Sequence, residues 1–432
     1  MAAGRYSHSM DASDVADVAV VGAGVAGLAC ARLLDEAGLA VRVLERSGRV
    51  GGRVGTDVVD GFRCDRGLAW IDAAHPVLRD VLDVAALNPR PIERGLVIAH
   101  PEGYRILQGS HAALVHSIRG GLGQPQDIAR LLRWSEPMRR APERIAAGAD
   151  MTLEESLDRH GLEGRLREEV LRPAFRLLFG DEDLRTSYQY AMTTLQRLRD
   201  GRPSLPALGM QSLPDQLALA LSVRVEVGVT VHGVRRDDGD GVTLTTDAGE
   251  LRARTVVVAT EPLVASQLLG IGAPAMRAVA TWWFAMPTPP TTLKTAFVNP
   301  LGATGGPLSH ALVVSNVAPR YAPPQQALVA ATSVPLPDHE AGAETEDAVR
   351  RQLGELFHAD TSSWQLVTRH AHQAAWPAAR PPYIAGREVD LGDGVFVAGD
   401  HREHPGIAGA LTSGLRAARA VRDSLVGPAG AV

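Results

Sequence analysis

Lysine is almost missing from this chain: 43 of its 44 basic residues are arginine, and Lys294 is the sole lysine. The bias runs along the whole length, so it reads as coding bias and not as a basic binding face. With 49 acidic residues the formal net charge is -5, which gives no electrostatic reason to bind nucleic acid or an acidic membrane. Cysteine is scarce as well. Cys30 and Cys64 cannot build a disulfide framework, so the fold needs no oxidising compartment. Long apolar runs are absent too. The uncharged stretch from Val18 to Ala31 is too short to span a bilayer and is broken by Gly22, Gly24 and Gly27, so no integral membrane segment is expected. The opening residues carry Arg5, Asp11 and Asp14 with no apolar core before Val15, which is unlike a signal peptide. Residues 1–14 are therefore expected to be a disordered N-terminus, and the protein cytoplasmic.

What is present is the composition of a globular protein. The 432 residues, 45% hydrophobic and 22% charged, suit two or three connected domains. Asp17 to Val21 is a short apolar run of the kind a buried parallel strand uses. A glycine-rich turn and a helical stretch bearing Leu28, Leu33 and Leu34 follow, ended by Gly38, and Leu39 to Glu45 is the next strand. This predicts one βαβ unit. From about Ser110 to Arg199 the pattern becomes Arg-rich and amphipathic, as in Asp127 to Trp134 and Thr152 to Leu157, which predicts a helical insert. Interleaved acids favour a solvated basic face over a membrane-surface helix, and whether the insert touches membranes is left open.

Strands resume near Val223. Val225, Val227, Val229 and Val231 alternate strictly, residues 237–241 read as a hairpin turn, and Val242 to Thr246 returns. Thr255 to Thr260 reads as a second buried parallel strand. Residues 271–385 are rich in Pro, Trp and Thr, with strand-like runs at Trp282 to Phe284, Ala311 to Val314 and Ala327 to Ala330. Gly394 to Asp400 and a helix from about Ile407 to Leu425 close the chain.

The Gly22-x-Gly24-x-x-Gly27 pattern sits between a strand and a helix, where it carries meaning. Its glycines allow a tight turn, close approach of a pyrophosphate and close helix–strand packing, and the helix N-terminus offers free N–H groups and positive dipole. Glu45 ends the next strand 18 residues beyond Gly27, placed to accept hydrogen bonds from ribose hydroxyls and to disfavour a 2′-phosphate, which argues against NADP. Gly51 and Gly52 would let the backbone pass close to such a ligand, with Arg53 in reach of its pyrophosphate.

These segments carry a family resemblance. VVGAGVAGL, ERSGRVGGR, GFRCDRGLAW, and the C-terminal GVFVAGD followed by GIAGALTSG resemble the flavin amine oxidase and phytoene desaturase superfamily. LPALGMQSLPDQLA and SNVAPRYAPPQQALVA are similar to a phytoene desaturase-like branch of it. The resemblance spans about Asp17 to Val421 and implies FAD as cofactor. It implies that Gly22, Gly24 and Gly27 line the pyrophosphate, that Glu45 holds the adenosine ribose, and that Gly52 and Arg53 border the phosphates and flavin. By the same resemblance the Val229 backbone holds the adenine edge, Asp400 contacts FAD near the ribityl-phosphate end, and Ile407 and Ala408 sit against the flavin ring. A helix starting near Ile407 would aim its positive end at the pyrimidine side of the ring, where reduced flavin carries negative charge.

The departures from the family pattern are as informative. Amine oxidases place a lysine on the strand that here reads Ala280 to Phe284, and this chain has none there, Lys294 lying beyond a proline-rich turn. Where they carry an aromatic cage residue, this chain has Gly406, leaving Trp376 and Tyr383 as candidates for a single aromatic wall. His401 and His404, in the string Asp-His-x-Glu-His, tempt a metal reading, but Pro405 prevents a regular helix through both and no second ligand cluster stands out, so no metal is expected. His404 is instead the candidate proton acceptor beside the flavin, and His401 a candidate substrate-lining group; the alternative is that either is simply hydrogen-bonded near the cofactor. Cys64 lies too near the N-terminus to match the cysteine that tethers flavin in some relatives.

The expected architecture is α/β: a doubly wound, Rossmann-like FAD-binding domain (15–109, 211–270 and 386–432), a helical insert (110–210) and a mixed-sheet substrate domain (271–385). The expected function is an FAD-dependent oxidoreductase that removes a hydride from a C–H bond of a small or medium apolar or amine molecule, forming C=C or C=N. Its electron acceptor, oxygen or a quinone among others, is left open. Two alternatives stand beside it: a redox-neutral flavin-dependent isomerase or mutase, and a non-catalytic carrier of a prenylated or apolar ligand.

Overall fold

The computed structural model describes residues 15–100, 103–108, 124–140, 144–146, 148–237, 241–301, 305–333 and 343–426. The expected N-terminal tail, much of 110–123 and the tip of the 237–241 turn lie outside these residues. Two seven-stranded sheets organise the chain. In the first, Val225–Val227, Val41–Glu45, Ala16–Val21, Gly249–Val258 and Val395–Val397 run parallel, and Val242–Thr246 and Val231–Arg236 extend it antiparallel. Ala16 to Val21 is buried at five of six positions, as a strand covered on both faces must be. Helix Val25–Glu36 buries Leu28 and Leu34 against this sheet and ends before Gly38, whose φ of 79° breaks the helical path.

The C-terminal helix Ile407–Val426 packs on the same side, beside Val25–Glu36. Gly414 makes that approach possible: a Cβ there would stand 2.2 Å from the Ala26 carbonyl oxygen. The first and last helices thus share one layer, although they come from opposite ends of the sequence.

The second sheet runs Gln365–Pro377, Met276–Met286, Ala327–Ser333, Leu308–Val313, Ala296–Val298, Gly95–His100, Gly103–Gln108. It is mixed, because Ala296–Val298 and Gly95–His100 pair in parallel. One face is sealed by helix Ala343–Phe357, with Val349, Leu353 and Phe357 packed on Ala280, Trp282 and Phe284. The other face meets the insert, whose helices Pro125–Trp134, Leu153–Arg159, Arg172–Phe179 and Tyr188–Asp200 enclose Trp134, Leu157, Phe175 and Phe179. Thr152 and Glu155 form the capping box that starts one of these helices. Among the described residues no helix is long and apolar enough to cross a membrane.

Two expectations need correction. Residues 95–108 do not extend the dinucleotide-binding sheet as the 15–109 boundary requires; their backbone pairs with Ala296–Val298 in the second sheet. The valine alternation from 225 to 231 is not one strand either. Gly228, with φ 78°, divides it, so Val225–Val227 pairs with Val41–Glu45 and Val231–Arg236 turns away to pair with Val242–Thr246.

The helix–helix contact yields a stability prediction. Gly414→Ala should cost about 1–3 kcal/mol, because the new methyl meets backbone that cannot swing aside. A denaturant midpoint unchanged from the parent would refute this close packing.

Candidate active site

One trough of about 490 Å3 runs from the glycine-rich turn, along the starts of the first and last helices, to the floor of the second sheet. At its first end the three glycines divide their labour. A Cβ on Gly22 would lie 2.8 Å from the Ala259 oxygen, and one on Gly27 would lie 1.9 Å from the Gly22 oxygen, so both serve close packing. Gly27 accordingly does not line the trough, contrary to expectation. Gly24 does, and a Cβ there would meet nothing within 4 Å.

Glu45 is 7% exposed at the trough wall. Its Oε2 accepts from the Ala23 N–H at 2.8 Å, and Oε1 accepts from the Ser47 N–H and hydroxyl at 2.9 and 2.7 Å. A carboxylate has about four acceptor sites, so capacity remains for a ribose hydroxyl. Val229 stands next to it, since its N–H donates to the Glu45 carbonyl at 2.9 Å, and it lines the trough.

Arg53 and Asp400 both line the trough but are joined to each other. The guanidinium donates to Asp400 Oδ1 at 2.6 Å and Oδ2 at 3.3 Å, and to the Ala375 carbonyl at 2.7 Å. Burial alone would lower the Arg53 pKa; the charge and hydrogen bonds of Asp400 outweigh it and raise it. Arg53 is therefore not the free phosphate-seeking cation expected from sequence. Asp400 also accepts from the Gly406 N–H at 3.4 Å, just before the C-terminal helix. Gly52, Ile407 and Ala408 line the trough as expected, and so does Gly406, where no side chain narrows it.

His404 reaches the trough, but its ring nitrogens are committed. Thr194 Oγ1 donates to the Tyr190 carbonyl, so toward His404 it can only accept, from Nε2–H at 3.0 Å. A neutral ring then leaves Nδ1 as acceptor for the Tyr383 hydroxyl at 3.1 Å. Burial first, then the Arg197 and His75 charges, hold its pKa well below the usual histidine value, so the ring stays neutral. It stacks on Tyr190 with centroids 4.5 Å apart. These contacts favour the hydrogen-bonded reading of His404 over the proton acceptor: it ties helix Tyr188–Asp200 to the start of the C-terminal helix. Tyr383 sits behind it and does not line the trough. His401 does not either; its ring packs against Gly399, and burial lowers its pKa to about 4. Trp376 does line the trough, as expected. Lys294 is exposed and lies outside it.

Several lining residues escaped the sequence reading. Tyr190, Thr194 and Arg197 face the trough at the i, i+4, i+7 spacing of one helix face, a periodicity legible once the insert is known to cover the site. His310, Thr332 and His372 arrive on three strands of the second sheet and have no local signature. Asp65, in the GFRCDRGLAW segment, lines the trough while accepting from Thr56, the Met210 N–H and Tyr321; burial lifts its pKa to about 6. Among the described residues no group of three or more His, Cys, Asp or Glu is placed to hold a metal ion.

The donor set fits FAD. Two helix N-termini open on one trough, Gly24 leaves room above the first, and Glu45 keeps spare acceptor capacity. Gly24→Ala should keep the parent's unfolding midpoint yet purify with markedly less flavin. Gly27→Ala should instead lose about 1–3 kcal/mol of stability; equal behaviour of the two variants would contradict the division of roles. His404→Phe should cost about 1–3 kcal/mol by stranding the Tyr383 hydroxyl. It should leave the shape of the pH profile of flavin reduction between about pH 5.5 and 8 unchanged, since a neutral ring does not titrate there; loss of an acidic limb would show that His404 acts as a base.

Comparison with known proteins agrees with this geometry. A Mycobacterium tuberculosis protein that bears the name flavin-containing monoamine oxidase AofH is 30% identical over 270 residues, 57% of each chain. The chain thus matches little more than half the length of that relative. Among solved structures, an oxidoreductase from Methanosarcina mazei superposes with a TM-score of 0.73 at 16% identity, covering 92% of this chain and 99% of that one. Cyclohexylamine oxidase from Brevibacterium oxydans superposes with a TM-score of 0.69 at 18% identity, covering 96% and 100%. At such identities these two show the fold alone. The profile of the flavin containing amine oxidoreductases matches residues 25–422. Flavin is the cofactor that this match implies, and the chain belongs to the flavin-containing amine oxidoreductase family.

Proposed function

We propose that this protein is an FAD-dependent oxidoreductase that takes a hydride from a C–H bond of a small or medium, largely apolar molecule. The observation that carries the reading is the continuity of the trough, from the dinucleotide turn to a chamber walled by Leu177, Leu178, Val279 and Trp376. When bound, the flavin supplies the two-electron acceptor. The chain's own residues bind, orient and exclude water. Glu45 holds the ribose hydroxyls, and the N-termini of Val25–Glu36 and Ile407–Val426 offer N–H groups and positive dipole to the phosphates and to charge developing on reduction. Leu177, Leu178 and Trp376 keep water from the C–H bond that breaks, and neutral His404 fixes the start of the C-terminal helix. The electrons then pass to an oxidant such as oxygen or a quinone.

Two features of the wall favour C=C over C=N. No lysine stands on the strand Met276–Met286, and Gly406 leaves one side of the chamber without an aromatic ring. Anaerobic mixing with a panel of saturated and unsaturated alicyclic compounds and amines tests the proposal. Bleaching of the yellow flavin by one of them, with formation of the unsaturated product, is expected. Conversion without bleaching would make the protein an isomerase, and failure to retain FAD after reconstitution would make it a carrier.

A further inference from the structure

A row of polar side chains crosses the second sheet, and two of its members, His310 and Thr332, reach the floor of the chamber. His310 is the register partner of Thr332, Thr332 of Thr281, and Thr281 of His370, so four neighbouring strands point these side chains to one face. That face is the one turned to the trough, since His310 and Thr332 line it. The opposite face is the apolar one under helix Ala343–Phe357.

The two threonines of this row lack partners. Thr281 Oγ1 and Thr332 Oγ1 are buried without a hydrogen bond, as is His370 Nδ1, although His370 Nε2 meets the Asp57 carboxylate at 2.9 Å. Buried polar atoms left this way are destabilising, and in a native protein they ask for a reason. His310 is only 5% exposed, and its Nδ1 meets Ser309 Oγ at 3.2 Å, which leaves Nε2 without a protein partner on the trough side. Thr332 lies beside it, and one rotamer step exchanges its methyl for its hydroxyl.

Charge at this end decides what the row can recognise. Glu45, Asp65, Asp72, Glu261 and Asp400 supply the carboxylates that line the trough, and all come from the first sheet and its connections. The insert and the second sheet add no carboxylate to the lining; their one charged lining residue is Arg197. Behind His310 the buried Arg176 is ion-paired with Glu182 at 2.8 Å, while its Nη1 makes no hydrogen bond. Burial, then Arg176, lower the His310 pKa to about 3, and the ring is neutral. Beside His310 the insert and the second sheet offer an ammonium group no carboxylate of their own, and the nearby cation, Arg176, already has an acidic partner.

We propose that His310, backed by Thr332, is the polar recognition point of the chamber, and that its ligand is an otherwise apolar molecule bearing an uncharged oxygen, a hydroxyl or carbonyl. A neutral imidazole and a hydroxyl each donate or accept, which suits such an oxygen. Calling the ligand a substrate rests on the oxidoreductase reading above; the binding preference does not.

The test is equilibrium binding to the FAD-loaded protein, read from perturbation of the flavin spectrum without turnover. The probes are cyclohexanone, methylenecyclohexane and cyclohexylammonium, similar in shape and different in charge and hydrogen bonding. Cyclohexanone should bind roughly tenfold tighter than methylenecyclohexane, the scale of one buried hydrogen bond. His310→Phe and Thr332→Val should each remove most of that advantage while leaving hydrocarbon binding and flavin content unchanged, and Thr332→Ser should keep it. Equal binding of ketone and hydrocarbon, tightest binding of the ammonium, or indifference to both substitutions would overturn the proposal. A protein that shows the ketone preference yet is bleached by no compound would keep this subsite and lose the hydride-transfer reading.

Discussion

The ion pair between Arg53 and Asp400 is the contact on which the site depends. Its members stand 347 positions apart, and the same guanidinium reaches the Ala375 carbonyl on the second sheet. One side chain therefore joins the loop after the second strand, the turn before the last helix, and the edge strand of the other domain. With Asp400 nearly buried, breaking such a pair leaves a charge without compensation, commonly a loss of about 3–5 kcal/mol.

Around that pair the trough is electrically asymmetric. One end is acidic and surrounded by helix N-termini, which suits ribose hydroxyls and phosphates held by N–H groups. The other is largely apolar, with Arg197 as its one charged lining residue and polar side chains from the sheet at its floor. A flavin bound as proposed would have its phosphates at the first end and its ring bordering the second. The family match and this gradient agree, while the absence of a lysine on Met276–Met286 marks where this chain departs from amine oxidases.

His404 shows why motif and mechanism separate. Its place in the sequence, close before the C-terminal helix, suggested a base beside the ring. Thr194 and Tyr383, distant in sequence, saturate both of its nitrogens and convert it into a strut. The hydroxyl donating to Tyr190 settles the direction of the whole chain of hydrogen bonds.

Local physics made the βαβ unit, the glycine turn, Glu45 and the final helix legible from the sequence, because each rests on periodicity or steric demand within a few tens of residues. The glycine pattern announced a dinucleotide turn, yet only the packed structure separated Gly24, which opens on the trough, from Gly27, which lies beneath it. The assignment of residues 95–108 to the second sheet, and the row from His310 to His370, were decided by tertiary structure. Strand partners and face are properties of pairing between distant segments, and no single segment encodes them.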